Sequence, residues 1–388
     1  MNTDPVTLTT DEVAGQSLAT GTAGTALLHI ERALNGSGGW ASAHTHIRQA
    51  AAGPIDAAAH AGLYYGAPAI DFVLHAAAAG HSRYRSTTTT LDRHVLRLTH
   101  RRLTTAASRM ERGEAATFGE YDLFYGLTGI GALLLHRMPG SEILADVLRY
   151  VIRLTEPRHD DGLELPGWWV AHDPDPTLPT PGGHANFGMA HGIGGLLALL
   201  ALATSRSRVV EGQDEAIECL QVWFDRWRQD SADGPWWPQW VTREELRTGR
   251  PCRDSPGRPS WCYGAIGIAR AQQLAAIATD DSTRREAAEK VLATCLSDRQ
   301  LHRITEAGLC HGMAGVYQTA YRAARDARNP AIEQRLPVVA AALTRHTATV
   351  RDDKTGLLTG GAGVGLVLET TRHATPPRSG WDACLLIT

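Results

Sequence analysis

The sequence has few cysteines, no excess of charge of one sign and no long hydrophobic run. Six cysteines in 388 residues are too few for a disulfide scaffold. A net charge of −3 disfavours a nucleic acid as the main partner. The longest apolar stretches, such as residues 196–203, are far shorter than the roughly 20 residues that cross a bilayer. Residues 1–13 lack the basic head and apolar run of a secretory signal, so we expect a cytoplasmic protein.

A glycine pair recurs along the chain, each time followed by an apolar helical run. Six copies have the form Gly-x-x-Gly and a seventh is degenerate; they start at Gly21, Gly66, Gly126, Gly192, Gly264, Gly312 and Gly360. The spacings of 45 to 72 residues leave room for two helices in each unit.

Glycines one turn apart let another backbone approach closely, and helix N-termini that face one centre direct their unpaired N–H groups toward it. The pattern predicts an all-α fold in which residues 1–388 form a single domain. We expect an α/α toroid with seven inner and seven outer helices. A glycine-rich helical solenoid without a functional site remains the alternative at this point.

Three of the repeats carry chemically active side chains immediately before the glycine. They read WCYG at residues 261–264, CHG at 310–312 and AHG at 190–192. In a ring, equivalent positions of adjacent repeats lie side by side, so Cys262 should meet Cys310 and His311. Two thiolates and one imidazole leave a fourth tetrahedral position open, as in catalytic zinc sites. The alternative is that the cysteines are small buried hydrophobic residues.

The other cysteines and histidines are predicted to have lesser roles. Cys219 and Cys295 are assigned to packing, and Cys384 lies in the tail. Cys252 lies in a polar loop, where it is considered only as an adventitious ligand. His184 is placed in a loop near the mouth, and His172 and His302 are assigned no function.

These motifs resemble the lanthionine synthetase C-like (LanC) cyclases over essentially the whole chain. The resemblance implies an α/α toroid with one zinc ion, bound by Cys262, Cys310 and His311. The reaction it implies is a Michael-type addition of a peptide cysteine thiol to dehydroalanine or dehydrobutyrine, which forms lanthionine or methyllanthionine rings. The implied substrate is a dehydrated precursor peptide, leader plus core.

Because the repeats fill the chain, the protein looks like a stand-alone cyclase of class I lantibiotic systems. A separate dehydratase and an exporter are then candidate partners. A peripheral location at the membrane through such a biosynthetic complex is an alternative to a freely cytoplasmic one.

The implied reaction also needs proton transfer and stabilisation of an enolate. His191 is the candidate acid and base. The resemblance adds Asp122, Arg258 for an enolate or peptide carbonyls, and Tyr263 for a hydrogen bond to substrate. Each has a structural alternative: a helix cap for Asp122, core packing for His191 and Tyr263, and a surface ion pair for Arg258.

Two insertions, at about residues 157–189 and 233–260, interrupt the repeat rhythm and are rich in tryptophan and proline. We expect both to project around the mouth. They either recognise an extended peptide or fold onto the toroid as hydrophobic lids.

Other functions compete with the cyclase. A LanC-like enzyme that adds glutathione or another thiol to dehydroamino acids would share every one of these residues. A non-catalytic zinc scaffold of a biosynthetic complex would need a fourth protein ligand, and no equivalent repeat position supplies one. Helical-toroid glycosidases and terpene cyclases would need paired carboxylates or Asp-rich motifs, which the glycine steps do not carry.

Overall fold

The computed structural model describes residues 9–349 and 355–388. The α-helices in chain order are α1 (Thr10–Gly15), α2 (Thr22–Asn35), α3 (Trp40–Ala50), α4 (Ala67–Ala78), α5 (Arg85–Glu111), α6 (Phe118–Tyr121), α7 (Leu127–Arg137), α8 (Glu142–Arg153), α9 (Ile193–Ser205), α10 (Gln213–Trp227), α11 (Arg243–Thr248), α12 (Ala265–Ala278), α13 (Ser282–Cys295), α14 (Asp298–Leu301), α15 (Met313–Asp326), α16 (Leu336–Thr349) and α17 (Gly361–His373). The short strands are β1 (Arg158–Asp160), β2 (Leu163–Leu165), β3 (His184–Asn186), β4 (Gln229–Ser231), β5 (Gly234–Trp236) and β6 (Trp240–Thr242). No helix in the described ranges is both long and apolar enough to cross a membrane.

Seven helices form a closed inner ring: α2, α4, α7, α9, α12, α15 and α17. Each begins at the residue directly after one of the seven predicted glycines, and contacts run from each helix to the next until α17 meets α2. Helix α9 is apolar and buried on all sides, as expected for a helix enclosed by neighbours. The predicted α/α toroid is confirmed.

The second glycine of each step allows the preceding turn to fold back over the first turn of the helix. A Cβ at Gly267 would lie 2.0 Å from the carbonyl oxygen of Trp261. A Cβ at Gly315 would lie equally close to the carbonyl oxygen of Leu309. Any side chain at these positions would therefore displace the turn that carries the neighbouring cysteine.

A closed circle of backbone hydrogen bonds joins the seven turns that precede the inner helices. In each bond an N–H of one turn donates to a carbonyl of the next turn, over 2.8 to 3.4 Å. The bonds run from Leu18 to Tyr64, Tyr64 to Phe124, Leu123 to Ala190, Met189 to Cys262, Cys262 to Cys310, Cys310 to Leu358 and Leu358 to Ala19. Equivalent positions of adjacent repeats therefore lie side by side around one mouth.

The outer ring contains six helices in the described residues: α3, α5, α8, α10, α13 and α16. After α17 the chain turns inward instead of adding a seventh, and the 3₁₀ helix Trp381–Leu385 is buried. The buried Arg270 of α12 donates to the carbonyl of Ile387, and the Trp261 indole N–H donates to the carbonyl of Leu385. The tail thus fills space inside the ring and supports the turn that holds Cys262.

The two predicted insertions contact each other. Strand β3 of the first pairs antiparallel with β6 of the second, while β1–β2 and β4–β5 form separate hairpins. Trp168, Trp169, Trp236 and Trp237 are all buried, whereas Trp240 is half-buried. The burial of four of these five tryptophans therefore agrees with insertions that fold onto the toroid as lids, and not with an exposed surface that recognises a peptide.

Candidate active site

Cys262, Cys310 and His311 come together at the mouth although they belong to two different repeats. Their ligand atoms all lie within 4.8 Å of one another. The Cys262 N–H donates to the carbonyl of Cys310, which joins the two turns directly. Cys262 is buried and the other two residues are half-buried. The arrangement is the one that the repeat positions predict.

Hydrogen bonding within this cluster favours a thiolate at Cys262. The Cys310 thiol holds the pKa of Cys262 well below its ordinary value, with further lowering from His311 and Ser260. The hydrogen bond to Cys262 raises the pKa of His311 in turn. A cysteine must lose its proton to bind a metal, and a set of two sulfurs and one imidazole suits zinc. The residues present therefore fit a zinc ion.

A carboxylate that the sequence did not reveal stands behind His311. Glu306 Oε2 lies 2.7 Å from His311 Nε2, which leaves Nδ1 as the nitrogen available to a metal. Histidines that bind metals commonly give their second ring nitrogen to such a carboxylate. Its sequence signal is position, because Glu306 stands four residues before Cys310 just as Arg258 stands four residues before Cys262.

Arg258 lies near the metal cluster and pairs with this carboxylate. Its guanidinium donates to Glu306 Oε1 over 2.7 Å, and both side chains are nearly half exposed. The sequence offered two roles for Arg258, contact with the substrate or an ion pair, and the structure contains the ion pair. Arg258 is thus connected to the metal cluster through Glu306 and His311.

His191 and Asp122 form a second polar pair at the mouth. Asp122 Oδ2 lies 2.6 Å from His191 Nδ1, and the Asp122 side chain is fully buried while that of His191 is 18% exposed. The other oxygen, Oδ1, accepts the backbone N–H groups of Tyr125 and Gly126 at 2.6 and 2.9 Å. Asp122 therefore both holds the turn before α7 and orients His191, although it does not cap the helix itself, whose N-cap Gly126 has no side-chain cap. Because Nδ1 is engaged, Nε2 is the nitrogen available for proton transfer.

Aromatic rings fix the plane of the His191 imidazole. Phe118 stacks on it with ring centroids 4.8 Å apart, and Phe124 meets it edge-on at 4.9 Å. The Tyr121 hydroxyl donates to the backbone carbonyl of His191 over 2.8 Å. These contacts leave the imidazole little freedom to rotate away from Asp122.

Tyr263 lies on the other side of His191, with ring centroids 6.0 Å apart. Burial raises the pKa of Tyr263, although a hydrogen bond with Asn186 opposes that rise. The phenol is therefore protonated near neutral pH and can donate a hydrogen bond.

Two further histidines support Phe118 from behind. His172 Nε2 accepts the backbone N–H of Phe118 over 3.2 Å, and His184 meets the Phe118 ring edge-on. Burial lowers the pKa of His184 to about 4, so it is neutral. These histidines position an aromatic ring. No role was predicted for His172, because its contact with Phe118 joins two segments that are 54 residues apart in sequence. Cys252 is exposed and is not part of the metal cluster.

Comparisons with known proteins identify the family and the fold of the chain. The family model described as lanthionine synthetase C-like protein matches residues 12–386. The nisin biosynthesis protein NisC of Lactococcus lactis subsp. lactis is 24% identical over 210 residues, which cover 53% of this chain and 49% of that protein. The alignment thus spans about half the length of this curated relative. The solved structure of nisin cyclase matches 97% of this chain and 93% of its own, with a TM-score of 0.82 and 20% identity. This likeness establishes a shared fold.

Proposed function

The chain belongs to the lanthionine synthetase C-like family, and we propose that it is a zinc-dependent lanthipeptide cyclase. In this proposal it adds cysteine thiols of a dehydrated precursor peptide to dehydroalanine or dehydrobutyrine and so forms (methyl)lanthionine rings. The observation that carries the proposal is the placement of a Cys₂His ligand set and an Asp–His pair around one mouth. The first suits activation of a thiol, and the second suits transfer of its proton.

Cys262, Cys310 and His311 are the proposed zinc ligands. When bound there, zinc would supply an open position at which a thiol loses its proton far more readily than in water. Glu306 fixes the His311 ring through Nε2, so that this ligand stays oriented toward the two sulfurs. Arg258 holds Glu306 in place, which makes Arg258 a positioning residue in this proposal.

His191 is the proposed acid and base. In the addition a carbon–sulfur bond forms at the β-carbon, the carbon–carbon double bond is lost, and a proton is needed at the α-carbon. The thiol releases one proton and the α-carbon takes one, so the reaction balances without any oxidant or reductant. His191 Nε2 is available to accept the first proton and to return one, while Asp122 stabilises the charged imidazolium.

Tyr263 is the proposed hydrogen-bond donor to the oxygen that becomes negative in the enolate. A donor aimed at developing charge is effective when it keeps its own proton. The raised pKa of Tyr263 and its position beside His191 support this role.

The test is ring formation by the purified protein with a dehydrated precursor peptide. Cyclisation leaves the peptide mass unchanged, so the free thiols are alkylated afterwards and counted by mass spectrometry. We expect the thiols to disappear with the wild type and to persist with Cys262→Ala, which should also contain one zinc ion per chain fewer than the wild type in elemental analysis. Ring formation by a Cys262→Ala protein that has lost this ion would contradict the proposal.

The same assay separates the competing functions. If glutathione is included and the enzyme prefers it, the peptide gains the mass of glutathione at each dehydrated residue. If zinc is present and neither rings nor adducts form, the scaffold function is favoured.

We also propose that the protein works in the cytoplasm with a separate dehydratase and an exporter, alone or at the membrane through that complex. Both ligand cysteines must be reduced to bind zinc, and the cytoplasm keeps thiols reduced. Co-purification of the chain with a dehydratase encoded beside it would test the association.

A further inference from the structure

A second cluster of metal-binding side chains lies away from the cysteines. Asp71 and His75 stand one turn apart on inner helix α4, and Asp92 stands on outer helix α5. Each offers a ligand atom, and these atoms all lie within 4.8 Å of one another. Helix α4 is three positions around the inner ring from α12, so this cluster is separate from the Cys₂His set.

The carboxylate of Asp71 is buried without a hydrogen bond, although His75 lies 3.5 Å away as an ion-pair partner. Its side chain is 1% exposed, and neither oxygen has a hydrogen-bond partner. The Nε2 atom of His75, which faces it, is buried and unpartnered as well. An ionised carboxylate in such surroundings is costly unless a cation balances it.

The distances in the cluster are those of ligands that share a cation. His75 Nε2 lies 3.5 Å from Asp71 Oδ1 and 3.8 Å from Asp92 Oδ1. Both exceed the usual length of a hydrogen bond. Two ligands that are each bound at about 2.1 Å to a tetrahedral zinc ion lie about 3.4 Å apart. A small cation between His75 and either aspartate would thus need only a slight contraction, and all three ligand atoms lie within 4.8 Å of one another.

The residues around the cluster hold Asp92 in place and leave His75 accessible. Arg137 donates to both oxygens of Asp92 over 3.2 Å, as outer partners of ligating carboxylates do. His75 lines a cavity of about 500 Å³ together with His136 and Arg137, so the imidazole side of the cluster can be reached from solvent.

We propose that Asp71, His75 and Asp92 form a second metal site, which binds a divalent first-row transition cation such as Zn²⁺. One imidazole and two carboxylates are nitrogen and oxygen donors that suit such an ion. The bound ion ties inner helix α4 to outer helix α5. The proposal does not depend on the cyclase function, because none of these residues lies at the mouth.

The experiment removes the thiolate site and asks whether a metal still binds. In a Cys262→Ala/Cys310→Ala double variant, we expect equilibrium dialysis against Co²⁺ and against Zn²⁺ to give one bound ion per chain. The Co²⁺ form should lack the thiolate-to-cobalt charge-transfer band that the wild type shows. Asp71→Asn, which nearly preserves the side-chain shape, is then added to the double variant. It should weaken the remaining metal binding at least about 100-fold, which exceeds the effect of losing a residue that only hydrogen-bonds to a metal ligand.

Two further variants keep the test decisive. His75→Gln changes a side chain that is 12% exposed, so it serves if Asp71→Asn does not fold as judged by circular dichroism. His81→Gln is the matched control, because His81 lines the same cavity outside the cluster and should leave binding unchanged. The proposal is overturned if the double variant binds no ion, or if it binds equally well with Asp71→Asn or His75→Gln.

Discussion

His191 and His311 occupy the same position in two repeats, yet they present opposite ring nitrogens to the mouth. Each directly precedes the glycine before an inner helix, and each contacts a carboxylate, at 2.6 and 2.7 Å. The Asp122 carboxylate pairs with Nδ1 of His191, whereas the Glu306 carboxylate pairs with Nε2 of His311. Asp122 is fully buried and held by backbone N–H groups, while Glu306 is half exposed and paired with Arg258.

The difference indicates how one repeat position can serve two kinds of chemistry. The repeat places an imidazole at the mouth, and the carboxylate then decides which nitrogen is available. A rigid, buried partner suits a group that must keep one tautomer during proton transfer. An exposed, shared partner suits a ligand that only has to be oriented.

Loss of a metal ligand should have the largest effect. Cys310→Ala should lower bound zinc by one ion per chain and cyclisation to the uncatalysed rate, because an open Cys₂His site cannot lose a sulfur and keep its metal. Cys219→Ala, at a half-buried cysteine on α10, is the matched control and should keep both. Elemental analysis and thiol counting measure the two quantities. If Cys310→Ala loses this zinc ion and still forms rings, His311 has no catalytic role as a metal ligand and its contrast with His191 falls away.

His191→Ala should separate the two histidines. We expect it to retain zinc and to lower kcat by about 10²- to 10⁴-fold, the usual contribution of a general acid or base. The measurement is kcat with saturating peptide, together with zinc content. If the metal were lost, His191 would have to be counted among the ligands, and the contrast with His311 would disappear.

Asp122→Asn tests the tautomer directly. The new amide can still accept the N–H groups of Tyr125 and Gly126 with its oxygen, so the turn before α7 should persist. Its NH₂ group would then face His191 Nδ1 and favour the wrong tautomer, and we expect kcat to fall about 10²-fold with zinc affinity unchanged. Unchanged kcat would mean that Asp122 only holds the turn before α7.

Glu306→Gln should show the reverse pattern. Loss of the charged partner of His311 should weaken zinc binding about 10- to 100-fold and leave kcat of the zinc-saturated enzyme nearly unchanged. Competition with a chelator measures the affinity. Equal zinc affinity in wild type and variant would mean that Glu306 pairs with His311 without orienting it.

The repeats made the ring and the meeting of the three candidate metal ligands predictable, because a fixed position before each glycine becomes a fixed position around the mouth. Asp122 was named only through the family resemblance, and its pairing with His191 was not predicted. Glu306 was missed because its importance depends on which imidazole nitrogen turns inward, a choice that spacing does not contain. Two other features could not be predicted: the inward course of Trp381–Leu385 and the pairing of β3 with β6. Both depend on contacts between distant segments that share no repeat pattern.

Arg258 gives the smallest and most discriminating prediction. If it acts through Glu306, Arg258→Gln should weaken zinc binding only a few-fold, and it should add almost nothing in a Glu306→Gln background, since effects within one network are not additive. KM for the peptide should stay the same. If Arg258 instead holds peptide carbonyls, as the sequence alone also allowed, KM should rise and zinc affinity should not change. The double-variant cycle therefore decides whether the charge of Arg258 serves the metal ligand or the substrate.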